Sequence, residues 1–236
     1  MNDLIIGLCI YNEEHRFLEK CLKNMREITN KLVIIDDGST DNSYNIAAKY
    51  ATELLQTNHI YNENEANLRI KLWNKCGEIA NEGDYIFIND ADEIFTKNST
   101  LHFYEEFNKA IKLQAEAIGF YRYEMWNENQ YRKDKLWWSD TLCIRCARYK
   151  KNYKYCWRGW KIHGGSLPFN AYKTYYSAKL QIQHWAYSSI ELRDEKIKFY
   201  QQYDPDDKYE IEGKYKSILD KNPNLVNFKD FYEDTE

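Results

Sequence analysis

The feature that most constrains this chain is a strict alternation in its first hundred residues. Short apolar runs of β type give way to helical spacings, and each run closes on acidic residues. Leu4–Ile10 is the first run, followed by Asn12-Glu13-Glu14 and then apolar positions at Phe17, Leu18, Cys21, Leu22, Met25 and Ile28. Spacings of three and four predict an amphipathic helix, with Asn12 as its N-cap and the two glutamates in the first turn. Leu32–Ile35 is a second strand ending in Asp36-Asp37-Gly38-Ser39-Thr40-Asp41, and a short helix over Ser43–Tyr50 follows. A third strand is expected at Glu53–Gln56 and a helix through Leu68, Leu72, Cys76, Ile79 and Ala80. Tyr85–Ile88 is then a strand running into Asn89-Asp90-Ala91-Asp92-Glu93. Strand, helix, strand, helix in this order predicts an α/β fold with a mostly parallel, helix-covered sheet. Ligands of such sheets bind beyond the carboxyl ends of the strands, where all three acidic clusters lie.

Beyond a helix through Leu101, Tyr104, Phe107 and Ile111 the pattern turns to aromatic strands at Ala117–Trp126, Thr141–Arg148 and Lys179–Trp185, then a helix over Glu191–Tyr203. From Asp204 the chain reads as a polar tail, with weak helical patterning at Tyr215–Leu219. The expected organisation is one domain over 1–203 with two halves, 1–100 and 101–203, and a tail over 204–236. At 236 residues such a chain buries a full core without covalent staples. The six cysteines are scattered, and Cys21 and Cys76 fall on apolar helix stripes. Cys143 and Cys146 form a CxxC that could join Cys156 and His163 around zinc. However, positions three apart on a strand face opposite ways and no second close pair is present.

Asp90 and Asp92 alternate at a strand end, so an extended chain points them the same way. Two carboxylates on one face need a cation or donors between them, and a divalent ion bridging to a diphosphate supplies that. The plain alternative is a solvated turn rich in aspartate. The Asp36-Asp37-Gly38-Ser39 segment also suits a turn, and no GxGxxG marks a dinucleotide site.

Taken in order, Tyr11-Asn12-Glu13-Glu14, Ile35-Asp36-Asp37-Gly38-Ser39-Thr40-Asp41 and Asp90-Ala91-Asp92-Glu93 resemble the family 2 glycosyltransferases of the GT-A fold. The resemblance takes in Arg69, His184-Trp185-Ala186-Tyr187, Arg193, Lys196 and Tyr200, and so covers about residues 4–204. It implies an inverting transfer of a sugar from a nucleoside diphosphate sugar, with Mn²⁺ or Mg²⁺ as cofactor. Tyr11, Asn12 and Glu13 would line the nucleotide pocket, Asp37 would read the base, and Asp90 would lie near the ribose. Asp92 would hold the metal, with His184 as a second ligand. Arg69 and Lys196 would face the nucleotide and its phosphates. In many relatives an acid directly follows a histidine late in the second half, but here His163 is followed by Gly164. That leaves Asp140 and then Glu93 as candidates for the base that deprotonates the acceptor. A nucleotidyltransferase and a non-catalytic carbohydrate-binding relative are the alternatives.

The second half holds fifteen of the 21 tyrosines and six of the seven tryptophans. Residues 131–161 carry ten Lys or Arg against two Asp, in a chain whose net charge is -4. Trp137, Trp138, Tyr149, Tyr153, Tyr155, Trp157 and Trp160 interleave with these cations. Flat rings with wet edges suit sugars, so this half is expected to meet a glycan, lipid-linked or protein acceptor. The same surface suits peripheral contact with the inner face of a membrane. Single-stranded nucleic acid fits less well, since the whole chain is acidic and carries no nucleic-acid motif. Mean hydropathy is -0.80 and no apolar run spans a bilayer, so a cytoplasmic protein is expected.

Overall fold

The computed structural model describes residues 2–62, 64–134, 139–210 and 213–232; Trp137 and Trp138 lie outside the described residues. Its core element is an eight-stranded sheet. Reading across it, the strands are Glu53–Gln56 (β3), Lys31–Asp36 (β2), Leu4–Ile10 (β1), Tyr85–Asp90 (β4), Thr141–Arg148 (β8), Ala117–Glu124 (β6), Tyr175–His184 (β9) and Glu93–Phe95 (β5). The first four are parallel, and β8 runs antiparallel to both β4 and β6. The parallel strands are apolar on both faces because helices cover both. From β1 the chain moves to β2 on one side and returns to β4 on the other, so the crevice between β1 and β4 is the topological switch point.

Alternation along β1 divides the core. Ile6 and Leu8 pack with Leu22 and Met25 of Leu18–Ile28 (α1), while Ile5 packs with Leu72, Trp73 and Cys76 of Glu65–Ile79 (α3). Gly7 lets α3 come close, since a Cβ there would meet Cys76 Sγ at 2.8 Å. All six cysteines are free, with Cys21, Cys76 and Cys146 buried as small apolar side chains. Among the described residues no three His, Cys, Asp or Glu side chains are grouped to hold a metal.

Several expected boundaries move, among them the start of β9, at Tyr175 where Lys179 was expected, and those of two helices. The first helix begins at Leu18 and its N-cap position, Phe17, makes no side-chain cap bond. Asn12 is not that cap: it takes a left-handed φ of 52° and its side chain accepts the Thr40 N–H at 2.8 Å. Short polar side chains compete with helix by bonding nearby backbone, and here the partner lies across the crevice. The expected helix near Leu101 is two pieces, Lys97–Leu101 (α4) and Phe103–Lys112 (α5), meeting at His102.

The polar tail is in fact docked. After Ile190–Tyr203 (α6), a short helix Lys214–Ser217 (α7) buries Tyr215, and Ile218 just beyond it is buried too. Leu225–Asn227 (β10) then pairs antiparallel with Gln130–Arg132 (β7). Its apolar residues are widely and irregularly spaced, so no period betrayed the packing. The aromatic excess also resolves. Tyr149, Tyr155 and Trp157 pack around Trp73, and Trp126, Tyr187, Tyr200 and Tyr215 form a separate cluster. Tyr153, Trp160 and Tyr175 remain exposed.

Candidate active site

The loops after β1 and β2 are laced together over the switch point. The backbone N–H groups of Asn12, Glu13 and Glu14 donate to Ser39 Oγ (3.0 Å), Ser43 Oγ (2.7 Å) and Asp41 Oδ2 (3.1 Å). Glu14 returns a bond by accepting the Asn42 N–H at 3.0 Å. Asp37 shapes the neighbouring wall. Its carboxylate accepts from Thr57 Oγ1 (2.6 Å), Ile60 N–H (2.7 Å) and Tyr61 N–H (2.9 Å), with His59 Nδ1 at 3.3 Å. These four partners tie Asp37 to residues 57–61, and Asp37 also lines the cavity in which it was expected to meet the base. His59, so positioned, stacks on Tyr11 with ring centroids 4.0 Å apart.

Beneath these loops runs an unbroken chain of alternating charge. Glu65 Oε1 accepts from Arg69 at 3.3 Å, and Arg69 reaches Asp90 Oδ1 at 2.8 Å. Asp90 Oδ2 takes Arg145 at 2.9 Å, and Arg145 also holds Glu93 at 2.5 Å. Arg122 continues the chain from Glu93 (3.3 Å) to Glu124 (2.8 Å). Burial alone would raise the Asp90 carboxyl, but the two guanidiniums outweigh it and hold it well below the usual carboxylate range. Each charge is viable here because both neighbours are opposite in sign.

The chain ends at the crevice. Glu124 grips His184 through Nδ1, and the other ring nitrogen, Nε2, lies 3.5 Å from Asp92 Oδ1. Register explains the meeting: Glu124 pairs with His184 between β6 and β9, and His184 with Glu93 between β9 and β5. Burial disfavours imidazolium, but Glu124 and Asp92 outweigh it and push His184 up to about 10. Lys196, on α6, faces Asp92, Glu13 and Asp90. Burial also pushes the Glu13 carboxyl up to about 7. All of this lines one cavity of about 900 Å³, with Tyr11, Asn12 and Arg69 in its walls as well.

A mostly parallel sheet, a switch-point cavity and acidic strand ends are the features the sequence resemblance implied. The sequence profile of glycosyl transferase family 2 matches residues 5–180. The chain belongs to this family. Among solved structures, S. aureus TarS matches with a TM-score of 0.52 at 15% identity, over 93% of this chain and 42% of that one. A 1–349 fragment of TarS gives 0.40 at 16% identity, over 63% and 47%. M. tuberculosis glucosyl-3-phosphoglycerate synthase in complex with Mn²⁺ and UDP-glucose gives 0.36 at 15% identity, over 51% and 44%. The chain thus spans less than half the length of these structures. No curated protein sequence matches. The TarS likeness bears on the fold, a mixed α/β sheet of GT-A type.

One cavity gathers the expected residues Tyr11, Asn12, Glu13, Asp37, Arg69, Asp90, Asp92, His184 and Lys196. It does not gather the two expected bases. Asp140 lies across the sheet, because Tyr123 points opposite to its neighbours Arg122 and Glu124. The Tyr123 hydroxyl donates to Asp140 Oδ1 at 2.7 Å, and Lys133 bonds Oδ2 at 2.9 Å. Glu93 is fully buried under the floor between Arg122 and Arg145, and burial raises its carboxyl. Sequence reasoning missed Glu65, Arg122 and Glu124, and read Arg145 only as part of a basic stretch. The available signal was Arg122 and Glu124 two apart on an otherwise apolar strand, a pattern that buries charge on one face.

Proposed function

We propose that this family 2 chain transfers a sugar from a nucleoside diphosphate sugar to a hydroxyl acceptor, with inversion, using Mn²⁺ or Mg²⁺. The observation that carries it is the line Glu124–His184–Asp92 at the mouth of the switch point. A carboxylate behind one ring nitrogen orients the other as a metal ligand. The Nε2 proton that Glu124 and Asp92 favour would be displaced on binding, leaving an imidazole nitrogen and a carboxylate oxygen side by side as a donor pair for Mn²⁺ or Mg²⁺, with phosphate oxygens to complete the shell. The donor set therefore fits the ion, with Asp92 and His184 holding it. The bound ion would offset charge on the departing diphosphate.

The chain's own groups do the rest. Lys196, also in the cavity wall, adds positive charge facing Asp92 and Asp90. Asp90 is fixed between Arg69 and Arg145, so its orientation toward a ribose is set before ligand arrives. The Tyr11–His59 stack offers a flat surface for a base. Beside Tyr209 of the cavity wall, Arg158 lies 5.2 Å over the exposed Trp160 ring, whose centroid is 6.2 Å from that of Tyr209. This paired cation and ring favour an anionic glycan or lipid-linked acceptor, including one presented at a membrane surface. Among the described residues no helix is long and apolar enough to cross a membrane.

Calorimetric titration of UDP tests the donor site: binding is expected with Mn²⁺ and is expected to weaken at least tenfold without it. Asp92→Asn is expected to abolish release of UDP from nucleotide sugars while leaving the melting temperature within a few degrees. Undiminished metal dependence in that variant would sink the assignment.

A further inference from the structure

We propose that His163 is the base that takes the acceptor's hydroxyl proton, and that Asp204 and Tyr215 of the C-terminal segment set its tautomer. This rests on the donor reading above and supplies the base that it lacks. Most of the carboxylates lining the cavity are otherwise engaged; the exception is Glu13, whose Oε2 is buried without a hydrogen-bond partner among the described residues and which is therefore the rival base. Asp37, Asp90, Asp92 and Glu124 are held by the donors described above. Glu65 is tied to Arg69 and to the Gly164 N–H (3.3 Å), while Glu13 and Glu195 share Arg16.

His163 also lines the cavity, in a left-handed conformation with φ 58°, which is uncommon outside glycine and is held only by surrounding structure. Its Nε2 lies 3.0 Å from Tyr215 Oη, and Tyr215 Oη lies 3.2 Å from Asp204 Oδ2. Asp204 is buried and also accepts the Lys208 and Tyr209 N–H groups, each at 2.8 Å. An ionised carboxylate only accepts, so the single Tyr215 hydroxyl proton goes to Asp204. Tyr215 Oη then presents lone pairs, and the facing ring nitrogen must be the N–H. Neutral His163 is thereby the Nε2–H tautomer, with the lone pair on Nδ1, which has no hydrogen-bond partner among the described residues.

Tyr215 is itself fixed, stacked on Tyr200 with centroids 3.9 Å and planes 9° apart. The His163 ring is exposed to the cavity, and its partial desolvation there lowers its affinity for a second proton. Lys214 on α7 and Lys196 on α6 act the same way, and Glu65 on α3 and Asp204 oppose them. The net shift is downward, so the ring is neutral at pH 7. In the step, the acceptor oxygen forms its bond to the anomeric carbon as its proton passes to Nδ1. The bond from that carbon to the diphosphate oxygen breaks, and its electron pair leaves with the diphosphate. The imidazolium formed is stabilised through Tyr215 by Asp204, then returns its proton to solvent.

Two measurements test this on the full chain. Nitrogen-15 histidine spectra at pH 7.5, with the signal assigned by its loss in His163→Gln, are expected to show the Nε2–H tautomer. Tyr215→Phe, which keeps the ring stack, is expected to mix the two tautomers. An Nδ1–H tautomer in the wild type overturns the proposal whatever nucleotide binds. The second measurement is UDP release from UDP-glucose with Mn²⁺, water serving as the acceptor hydroxyl. His163→Gln is expected to lower kcat about 100-fold or more and to remove an acid limb centred below pH 6.5, with UDP affinity unchanged. Tyr215→Phe is expected to lower kcat less, again at unchanged UDP affinity. Turnover and pH profile unaltered in His163→Gln would refute the base. Failure of the wild type to bind UDP at all would instead refute the donor reading and leave the tautomer result to stand.

Discussion

Arg145 shows how much one side chain decides here. It leaves β8, a strand whose neighbours are apolar, and meets Asp90, Glu93 and Ser166 Oγ, the last at 2.5 Å. Two carboxylates lie on it, and Glu93, fully buried, has no water to replace it. Arg145→Met is therefore expected to destabilise the fold by about 3–5 kcal/mol, the cost of stranding a buried charge. Adding Glu93→Gln should recover part of that loss, because the second change removes one of the stranded charges. Denaturant melts of the single and double variants decide it; strict additivity would mean that the two side chains are energetically independent. The motifs at Asp90 and Asp92 were legible because they sit at a strand end. Their partners were not, because Arg69, Arg145 and Arg122 come from three elements, and no spacing in one sequence encodes a meeting across a sheet.

The elements most exposed to condition are the ones with the least regular structure. Between β8 and β9 the chain runs about 26 residues without helix or strand, and Glu116 pins both ends. Its carboxylate accepts from Lys150 Nζ at 2.8 Å on one side and from the Lys173 and Thr174 N–H groups, at 2.7 and 3.2 Å, on the other. The Lys150 bond and these N–H groups pull the Glu116 pKa down to about 2. A depressed carboxylate adds stability above its unfolded pKa, near 4.5, and loses it as pH falls through 2. Glu116→Gln should thus cost about 1 kcal/mol at pH 7, after allowance for solvent screening at this partly exposed site. The gap from wild type should close on acidification from pH 4.5 to 2. A gap that stays constant across that window would show that the carboxylate charge plays no part. The strands flanking this loop were readable from aromatic and β-branched runs. The loop's course was not, because it is set by one glutamate at the start of β6.

At the scale of the whole molecule, the open question is where the folding unit ends. Composition placed a boundary at residue 203, since the residues beyond it are polar and without period. The structure instead runs the C-terminal segment from the cavity to the far edge of the sheet. Tyr215 and Ile218 are buried, and the Arg132 guanidinium, 2% exposed, holds Ser217 O at 2.5 Å and Asp220 at 3.2 Å. Farther on, Gln181 of β9 bonds the Lys229 carbonyl at 2.9 Å and the Phe231 N–H at 2.7 Å. Burial of an aliphatic or aromatic side chain is worth about 1.5–3 kcal/mol, so Tyr215 and Ile218 alone contribute roughly 3 kcal/mol or more. In a chain of this length each kcal/mol corresponds to about 2–4 °C in Tm. Truncation after Tyr203 is therefore expected to lower Tm by about 6–12 °C or more, and Arg132, left without Ser217 and Asp220, should add to the fall. Thermal melts of the full and truncated chains distinguish the two boundaries. Equal Tm values would make residues 1–203 an autonomous domain and the rest an appendage. The expected fall would make the C-terminal segment part of the fold, as it must be if Tyr215 and Asp204 are to hold His163 at the cavity wall.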